Sequence, residues 1–407
     1  MPSSLTWIDH DPAARERSWR ILALFQEKES RDELGLGGIR DSFADQLFPG
    51  TSTIQTRLRY MLFVPWMYAD LEKKRERPDK FARTAAQQER NLITVLQSAD
   101  DNYGVIGAVA GKALKRLPGS IYWAGLGRWG IRRLDLSQEE YHQFIGTIYQ
   151  QREEQERHKR ARRQRGEEIL LPAESHTLTW HPQLPAPPED FPHRADFLLT
   201  WEEANFLLDC WQRHHPNSLL TFLARHCAPA KVEFPWEHPE RARFRRDHQE
   251  LLDHARRFSQ IMHGAALIYN LRLSELRHWE EKISEYRTRL QQWGEELDWQ
   301  DLQQWSLERL WELTTGQGHT ITPATRRFVS NWVALVLSEK GKLADHQEAR
   351  WLIGHREQTL KGVRSRLRNR RALEQWRGAS GLGRLAYRWP TAQIFLQDLW
   401  EGLQRRV

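Results

Sequence analysis

The chain has 407 residues, of which 39% are hydrophobic and 28% are charged, with a formal net charge of +7 at pH 7. This composition is typical of a folded globular protein and excludes a disordered chain. The excess of Lys and Arg, 61 against 54 Asp and Glu, favours a polyanionic partner.

Several features of the sequence bear on its location in the cell. Its two cysteines, Cys210 and Cys227, are too few for a disulfide framework. The first residues, MPSSLTWIDHD, lack the basic and apolar regions of a signal peptide. No run of 18 apolar residues occurs, so the sequence predicts no membrane-spanning helix. We therefore expect a cytoplasmic protein without a membrane partner.

Residues 34–66 (LGLGGIRDSFADQLFPGTSTIQTRLRYMLFVPW) are the most distinctive segment. They predict two helices joined by a tight Phe-Pro-Gly turn, as in helix-turn-helix units, with Thr51 or Ser52 capping the second helix. Three side chains beside its apolar stripe are of types that contact bases or phosphates: Gln55, Arg57 and Arg59. The apolar C-terminal end of the same helix equally fits a buried structural element, and both interpretations stay open.

Local signals predict helices along most of the remaining chain. A capping box of Ser137 and Glu140 begins a long helix, and a second box of Thr200 and Glu203 begins the C-terminal half. The Thr322-Pro323 pair predicts the start of another helix. SIYWAG, at residues 120–125, is the only short candidate for a strand.

The proline-rich segment 166–195 predicts a linker between two domains. We therefore expect a mainly α, multi-helix, two-domain protein with few or no strands. Its N-terminal helical domain would comprise residues 1–165, including the helix-turn-helix-like segment 34–66. Its C-terminal helical domain would comprise residues 196–407.

Arginine and lysine are concentrated in two segments. Residues 157–165 form the basic end of the long helix, and residues 356–388 contain ten cations against only Glu357 and Glu374. Such segments neutralise phosphates without sequence preference. The alternating arginines would align along an extended segment but spread around a helix, so the geometry of contact stays open. The predicted nucleic-acid contacts in these segments are Arg160, Arg162, Arg163, Lys361, Arg364, Arg366, Arg368, Arg370 and Arg371.

No catalytic or metal motif is well defined. The 17 histidines include no H-E-x-x-H spacing, and no C-x-x-C occurs, so we expect no bound metal. GVIGAVAGKAL, at residues 104–114, is one residue short of a phosphate-binding loop, so we expect no nucleotide cofactor. Asp41 and Asp45 share one helix face, which favours basic partners such as Arg57 or Arg59. A catalytic carboxylate pair is the alternative.

Nineteen tryptophans are an unusual number for this length. Several recur within helical patterns, where indoles pack in the core and satisfy one polar atom: Trp293, Trp299, Trp305 and Trp311. The alternative is that some of the nineteen serve as stacking platforms for nucleobases.

The run LFPGTSTIQTRLRYMLFVPW, together with TWIDHD, KRLPGSIYWAGLGRWGI and the C-terminal KGVRSRLRNRRALEQW, resembles the bacterial domain-of-unknown-function 6361 family. The resemblance covers nearly the whole chain and provides no catalytic residues. It implies a component of bacterial defence islands, encoded beside helicases and phospholipase-D-like nucleases.

We therefore expect a non-catalytic adaptor subunit of an anti-phage defence or DNA-processing complex. Arginine-rich segments would contact DNA phosphates, and tryptophan-rich helices would bind an enzymatic partner such as a helicase or nuclease. One alternative is a scaffold that binds only an acidic protein. Another is a metal-dependent nuclease that uses Asp41 and Asp45.

Overall fold

A computed structural model describes residues 32–108, 114, 116–164, 178–315 and 318–405, apart from the side chains of residues 159 and 162–164. Over these ranges the fold is mainly α and multi-helical, as predicted, and contains no strand; Arg132 and Trp180 form an isolated bridge. None of the helices described is long and apolar enough to cross a membrane.

In chain order the α-helices are α1 (Gly37–Leu47), α2 (Tyr60–Lys73), α3 (Pro78–Gln97), α4 (Pro118–Arg128), α5 (Gln138–Gln164), α6 (Trp201–His214), α7 (Leu219–His226), α8 (Arg246–Leu276), α9 (Glu280–Glu296), α10 (Trp299–Gln303), α11 (Leu307–Thr315), α12 (Pro323–Ser338), α13 (Gln347–Lys361), α14 (Arg370–Glu374) and α15 (Trp389–Gln404).

The described residues fall into two compact units, and each unit is discontinuous in sequence. The first unit contains the described residues up to Phe43 and those of Arg245–Tyr387. The second contains those of Ala44–Phe244 and Arg388–Val407. The chain therefore passes from one unit to the other within α1, before α8 and before α15.

This division differs from the predicted boundary at residues 166–195. Residues 178–195 lie within the second unit. The indole of Trp66 donates to the carbonyl of Pro185 over 2.7 Å, and the Phe191 ring stacks on Phe63 with centroids 5.6 Å apart. The described part of the predicted linker is part of a folded unit because its aromatic residues are packed there.

The first unit is built around α8, which packs against α9, α12 and α13. Indoles tie these helices together: Trp293 of α9 donates to the Gln260 carbonyl over 2.8 Å, and Trp332 of α12 donates to the Ile261 carbonyl over 2.9 Å. These bonds satisfy indole N–H groups that are buried in the core.

In the second unit, α2 packs against α3 and α4, α5 packs against α3, and α15 packs against α6 and α7. Helix α2 is buried along most of its length, from Tyr60 to Tyr68. A helix that is apolar nearly all round has to be covered on all sides, so α2 forms part of the core of this unit.

The connection between α1 and α2 is longer than the sequence predicts. Residues 48–59 form turns rather than a tight corner and a capped helix. The Tyr122 hydroxyl accepts hydrogen bonds from the backbone N–H groups of Thr56 (2.9 Å) and Arg57 (3.1 Å) and donates to the Arg57 carbonyl (2.8 Å). Because Tyr122 satisfies these backbone groups, the segment has no need of helical hydrogen bonds. Helix-turn-helix geometry, with its turn of about four residues, is absent here.

Other local predictions are confirmed. Glu140 N–H donates to Ser137 Oγ, and both halves of the Thr200–Glu203 capping box are present. Thr322 caps α12 over 3.2 Å, with Pro323 at its first position. The strand candidate at residues 120–125 is wrong, because these residues lie in α4.

Candidate nucleic-acid interface

The three predicted contact residues of segment 34–66 are buried within the second unit, with exposed fractions of 4 to 6%. Arg57 pairs with Asp398 at 3.1 Å, and Arg59 pairs with Glu203 at 2.8 Å. The Gln55 amide oxygen accepts a hydrogen bond from a nearby backbone N–H over 2.9 Å. These placements do not fit the predicted role in reading DNA, because both guanidinium groups would first have to leave buried carboxylates.

The Arg57 environment keeps its guanidinium charged. Burial lowers the pKa of Arg57, but Asp398 and Asp101 outweigh this effect, and its pKa lies above the usual value. Burial also raises the pKa of Asp398, although Arg57 and the backbone N–H of Leu58 counteract it. The pair is therefore a structural element of the second unit.

Asp41 and Asp45 have basic partners, but not the predicted ones. Asp41 pairs with its neighbour Arg40 at 3.1 Å. Asp45 pairs with Arg388 at 2.5 Å, and Arg128 lies 3.7 Å away. The expectation of Arg57 or Arg59 as partners is wrong, because those guanidinium groups are held by other carboxylates. Within the described ranges, no group of three or more His, Cys, Asp or Glu side chains is placed to hold a metal ion.

The basic segment 356–388 contains a buried anchor, Glu357 of α13. This carboxylate is fully buried and accepts hydrogen bonds from the Ser365 hydroxyl, from the backbone N–H of Arg366 (2.8 Å) and from the Tyr269 hydroxyl (3.2 Å). It also lies 3.4 Å from the ammonium group of Lys361. Glu357 therefore fixes the chain that follows α13 in one conformation.

Glu33 neutralises two of the predicted DNA contacts. Its carboxylate pairs with Lys361 and, at 2.6 Å, with Arg366, and it accepts a hydrogen bond from Ser380. Burial raises the pKa of Glu33, but Lys361, Ser380 and Arg366 outweigh this effect, so the pKa lies below its usual value. Lys361 and Arg366 therefore do not fit the role of free phosphate ligands.

Other cations of segment 356–388 are also engaged by distant parts of the chain. Arg356 is buried and donates to the carbonyl of Leu34 over 2.8 Å, while Arg388 pairs with Asp45. The excess of cations over acids within this segment is therefore partly compensated by Glu33 and Asp45, which lie more than 300 positions away.

Four of the remaining arginines of this segment, all within residues 364–371, are exposed at the surface of the first unit. Arg364 and Arg368 are exposed, and among the residues that the structure describes neither has an ion-pair partner; the same holds for Arg371. Arg370 is 93% exposed and lies 3.3 Å from Glu374, which is itself exposed. We call this set the arginine surface: Arg364, Arg368, Arg370 and Arg371.

The structure shows how the alternating arginines are arranged. Residues 362–364 form a single 3₁₀ turn after α13, and α14 begins at Arg370. Between them Ser365 is buried and Arg366 reaches Glu33, whereas Arg364 and Arg368 are exposed. The Asn369 amide donates to the Val363 carbonyl over 2.7 Å and holds this loop closed.

The second basic segment is only partly described. Arg160 is exposed on α5, and Arg162 and Arg163 belong to the same helix, but their side chains lie outside the described residues. Arg157, one turn earlier, is exposed and lies 3.5 Å from Glu153. Arg160 is therefore open to an external phosphate.

Most tryptophans pack inside the protein. Trp293 and Trp305 are buried, and the Trp305 indole donates to His254 over 3.0 Å. Trp311 is partly covered by Arg326. These placements do not fit the prediction that tryptophan-rich helices bind a partner. Among the tryptophans described, Trp351 and Trp400 are the exposed ones, at 62% and 43%.

Three buried acids that hold these arginines or their loop were not predicted from the sequence. Glu33, Glu357 and Asp398 are each buried and each hold an arginine or the loop that contains it. Asp398 left one signal in the sequence, because it lies among the apolar residues of α15, and a buried acid requires a partner. No comparable signal connects Glu33 with Arg366.

Comparison with known families supports the resemblance found in the sequence. A family model described as a family of unknown function, DUF6361, matches residues 2–153 and 166–402. No curated protein and no solved structure matches the chain. Because the family model covers nearly all of the sequence, this chain belongs to the DUF6361 family.

Proposed function

We propose that this chain is a non-catalytic, DNA-contacting subunit of a bacterial anti-phage defence or DNA-processing complex in the cytoplasm. The arginine surface is the observation that carries the proposal: four exposed arginines lie within eight residues, two on the loop that Glu357 and Asn369 hold in place and two at the start of α14. The role in defence rests on the family resemblance alone.

The chemistry of the arginine surface fits phosphates. Guanidinium groups hold phosphate oxygens through paired N–H donors and remain charged at physiological pH. The Arg370–Glu374 pair is exposed, and an ion pair of this kind contributes little, so Arg370 can exchange its partner for a phosphate at small cost. Because the loop is already ordered, binding loses little backbone entropy.

Not all of the predicted contacts remain in the proposal. Arg364, Arg368, Arg370 and Arg371 remain, with Arg160 as a second contact on α5. Gln55, Arg57, Arg59, Lys361 and Arg366 do not remain, because each is buried or engaged by a carboxylate or a backbone group.

The test is a DNA-binding titration of the purified full chain at several salt concentrations. Four neutralised phosphates predict a fall in affinity of about 100-fold between about 50 and 200 mM salt. The double variant Arg364→Glu with Arg368→Glu is expected to weaken binding and to reduce the salt slope by about 2. The control is Arg83→Glu with Arg90→Glu, two exposed arginines of α3 whose reversal changes the net charge equally. This control should affect binding far less than the loop variant.

Equal effects of the two double variants would mean that net charge, and not the arginine surface, attracts DNA. Binding that is absent or insensitive to salt would contradict the proposal. Recovery from native cells of an acidic protein partner without nucleic acid would instead support the protein-only scaffold.

The nuclease alternative makes its own prediction. It requires metal-dependent cleavage of DNA that is lost in Asp41→Ala. Since Asp41 and Asp45 are each paired with arginine, we expect no such cleavage by the wild-type chain.

A further inference from the structure

Trp351 is the most exposed of the described tryptophans, with 62% of its surface open to solvent. It lies on α13, and its ring is parallel to that of His355, one turn further on, with centroids 4.9 Å apart and an interplanar angle of 5°. One face of the indole is thus covered by an imidazole. Among the described residues, no other ring covers the opposite face.

The position of this pair on α13 is defined by the buried side of the helix. Leu352, Ile353, Arg356 and Glu357 are buried. Helical spacing places residues 351, 355, 358 and 362 along one line on the opposite side. Positions 351, 355 and 362 are exposed and position 358 is half-buried. The stacked rings of Trp351 and His355 therefore lie on the solvent-exposed side of α13.

The C-terminal end of α13 leads into the arginine surface along the chain. Helix α13 ends at Lys361, the backbone turns at Gly362, whose φ angle is +53°, and residues 362–364 form a 3₁₀ turn that ends at Arg364. From Trp351 to Lys361, the last residue of α13, the helix rises about 15 Å at about 1.5 Å per residue. Val363, beside Arg364, is 86% exposed.

We propose that Trp351 and His355 form a stacking platform for an unpaired nucleobase, so that the chain binds single-stranded DNA in preference to duplex DNA. The inference rests on the proposed function, since the arginine surface supplies the phosphate contacts. It adds the structural class of the nucleic acid.

A flat aromatic pair together with exposed cations favours single-stranded DNA over duplex DNA as the partner. Binding sites for single strands combine a cationic path for the backbone with aromatic rings for the bases, because every base has a π-face. In a duplex, the faces of the bases are covered by their neighbours in the stack, so Trp351 has no free base to stack on, whereas the phosphates stay available to Arg364 and Arg368. Glu348, one turn before Trp351, is exposed and would repel a backbone there, so the strand is expected to run from the platform towards the arginines.

The experiment compares binding of a single-stranded oligonucleotide, a duplex and an abasic single strand, each of about 15 nucleotides, to the full chain. Trp351→Ala is expected to weaken binding of the normal single strand by about 5- to 100-fold. Binding of the duplex and of the abasic strand should change by less than about 2-fold, because neither offers a free base. Trp351→Phe keeps a stacking face and should restore most of the affinity.

Trp400→Ala is the matched control, because Trp400 is an exposed tryptophan on α15 in the other unit. It is expected to leave all three affinities unchanged. Thermal unfolding of each variant verifies that the fold is intact, as expected for a substitution at an exposed position.

The two proposals can fail separately. If Trp351→Ala leaves single-strand binding unchanged while Arg364→Glu with Arg368→Glu still weakens it, the platform is refuted and the DNA-binding function stands. If no DNA binds, both are refuted. If Trp351→Ala abolishes capture of a protein partner and leaves DNA affinity unchanged, the exposed rings are a protein-docking site and the platform is refuted.

Discussion

Arg57 and Asp398 form a buried ion pair, with 3.1 Å between nitrogen and oxygen, although 341 residues separate them in the sequence. Both side chains are less than 8% exposed, and the backbone N–H of Leu58 donates to the same carboxylate over 2.8 Å. The bond joins α15 to the non-helical connection before α2, within the second unit. It shows why a residue that resembles a DNA contact in the sequence serves the fold instead.

Removal of the Arg57 charge should destabilise the protein strongly. Arg57→Met leaves Asp398 buried without its cation, and breaking such a pair costs about 3 to 5 kcal/mol in free energy of unfolding. Urea unfolding measures this value. The double variant Arg57→Met with Asp398→Leu should recover part of the loss, because it removes the unpaired carboxylate as well. A loss below about 1 kcal/mol for the single variant would mean that the pair is not a structural element.

Glu89 should make the stability of the protein depend on pH. The carboxyl group is buried on α3, accepts a hydrogen bond from the Gly119 N–H over 2.6 Å, and contacts the Tyr68 hydroxyl. Burial raises its pKa from 4.5 to about 7. Between those two values the folded chain binds more protons than the unfolded chain, so the free energy of unfolding falls as the pH rises.

Glu89→Gln mimics the protonated form and tests this pH dependence. It should match the wild type at a pH of about 4.5 and exceed its stability by about 3 kcal/mol above pH of about 8. Urea unfolding at several pH values measures the difference. Glu139→Gln, which removes one carboxylate at an exposed position of α5, is the control. A constant difference between Glu89→Gln and wild type across the pH range would refute the prediction.

Gly50 should tolerate no side chain. Its φ angle is +78°, and a Cβ atom there would lie 2.2 Å from Nε1 of the buried Trp129. That nitrogen donates to the Pro49 carbonyl over 2.9 Å, so the indole is not free to move away. Gly50→Ala should lower the free energy of unfolding by about 2 to 4 kcal/mol.

A second glycine separates backbone strain from steric overlap. Gly362 also has a positive φ angle, +53°, but no atom lies within 4 Å of the position that a Cβ atom would take there. Gly362→Ala should therefore cost only about 1 kcal/mol. Thermal or urea unfolding of the two variants compares them, and equal losses would show that contact with Trp129 contributes nothing.

Two arginines of the same loop should behave in opposite ways. Arg366→Ala removes a partner of the buried Glu33 and should lower the free energy of unfolding by about 1 to 3 kcal/mol. Arg368→Ala changes an exposed side chain and should alter it by less than about 0.5 kcal/mol. DNA affinity should show the reverse order, with a loss for Arg368→Ala and little change for folded Arg366→Ala. Anisotropy titrations measure the DNA affinities, and urea unfolding measures the stabilities. A variant that departs from this pattern would contradict the prediction.

The features that the sequence alone determined are local ones. The capping boxes at Ser137–Glu140 and Thr200–Glu203 join residues three positions apart, so their hydrogen bonds depend on little beyond the chain between them. The predominance of helices follows likewise from apolar spacing and caps. Family membership also follows from the sequence itself.

Tertiary structure decided which side chains are buried and which charges are paired. The connection at residues 48–59 has a helical pattern, but the Tyr122 hydroxyl, 65 positions from Arg57, satisfies its backbone. From the sequence, Lys361 and Arg366 are predicted to be free cations. In the structure both contact Glu33, which lies 328 and 333 positions away. The physical reason is that an arginine gains most from a carboxylate that shares its buried environment, and only the fold brings such groups together.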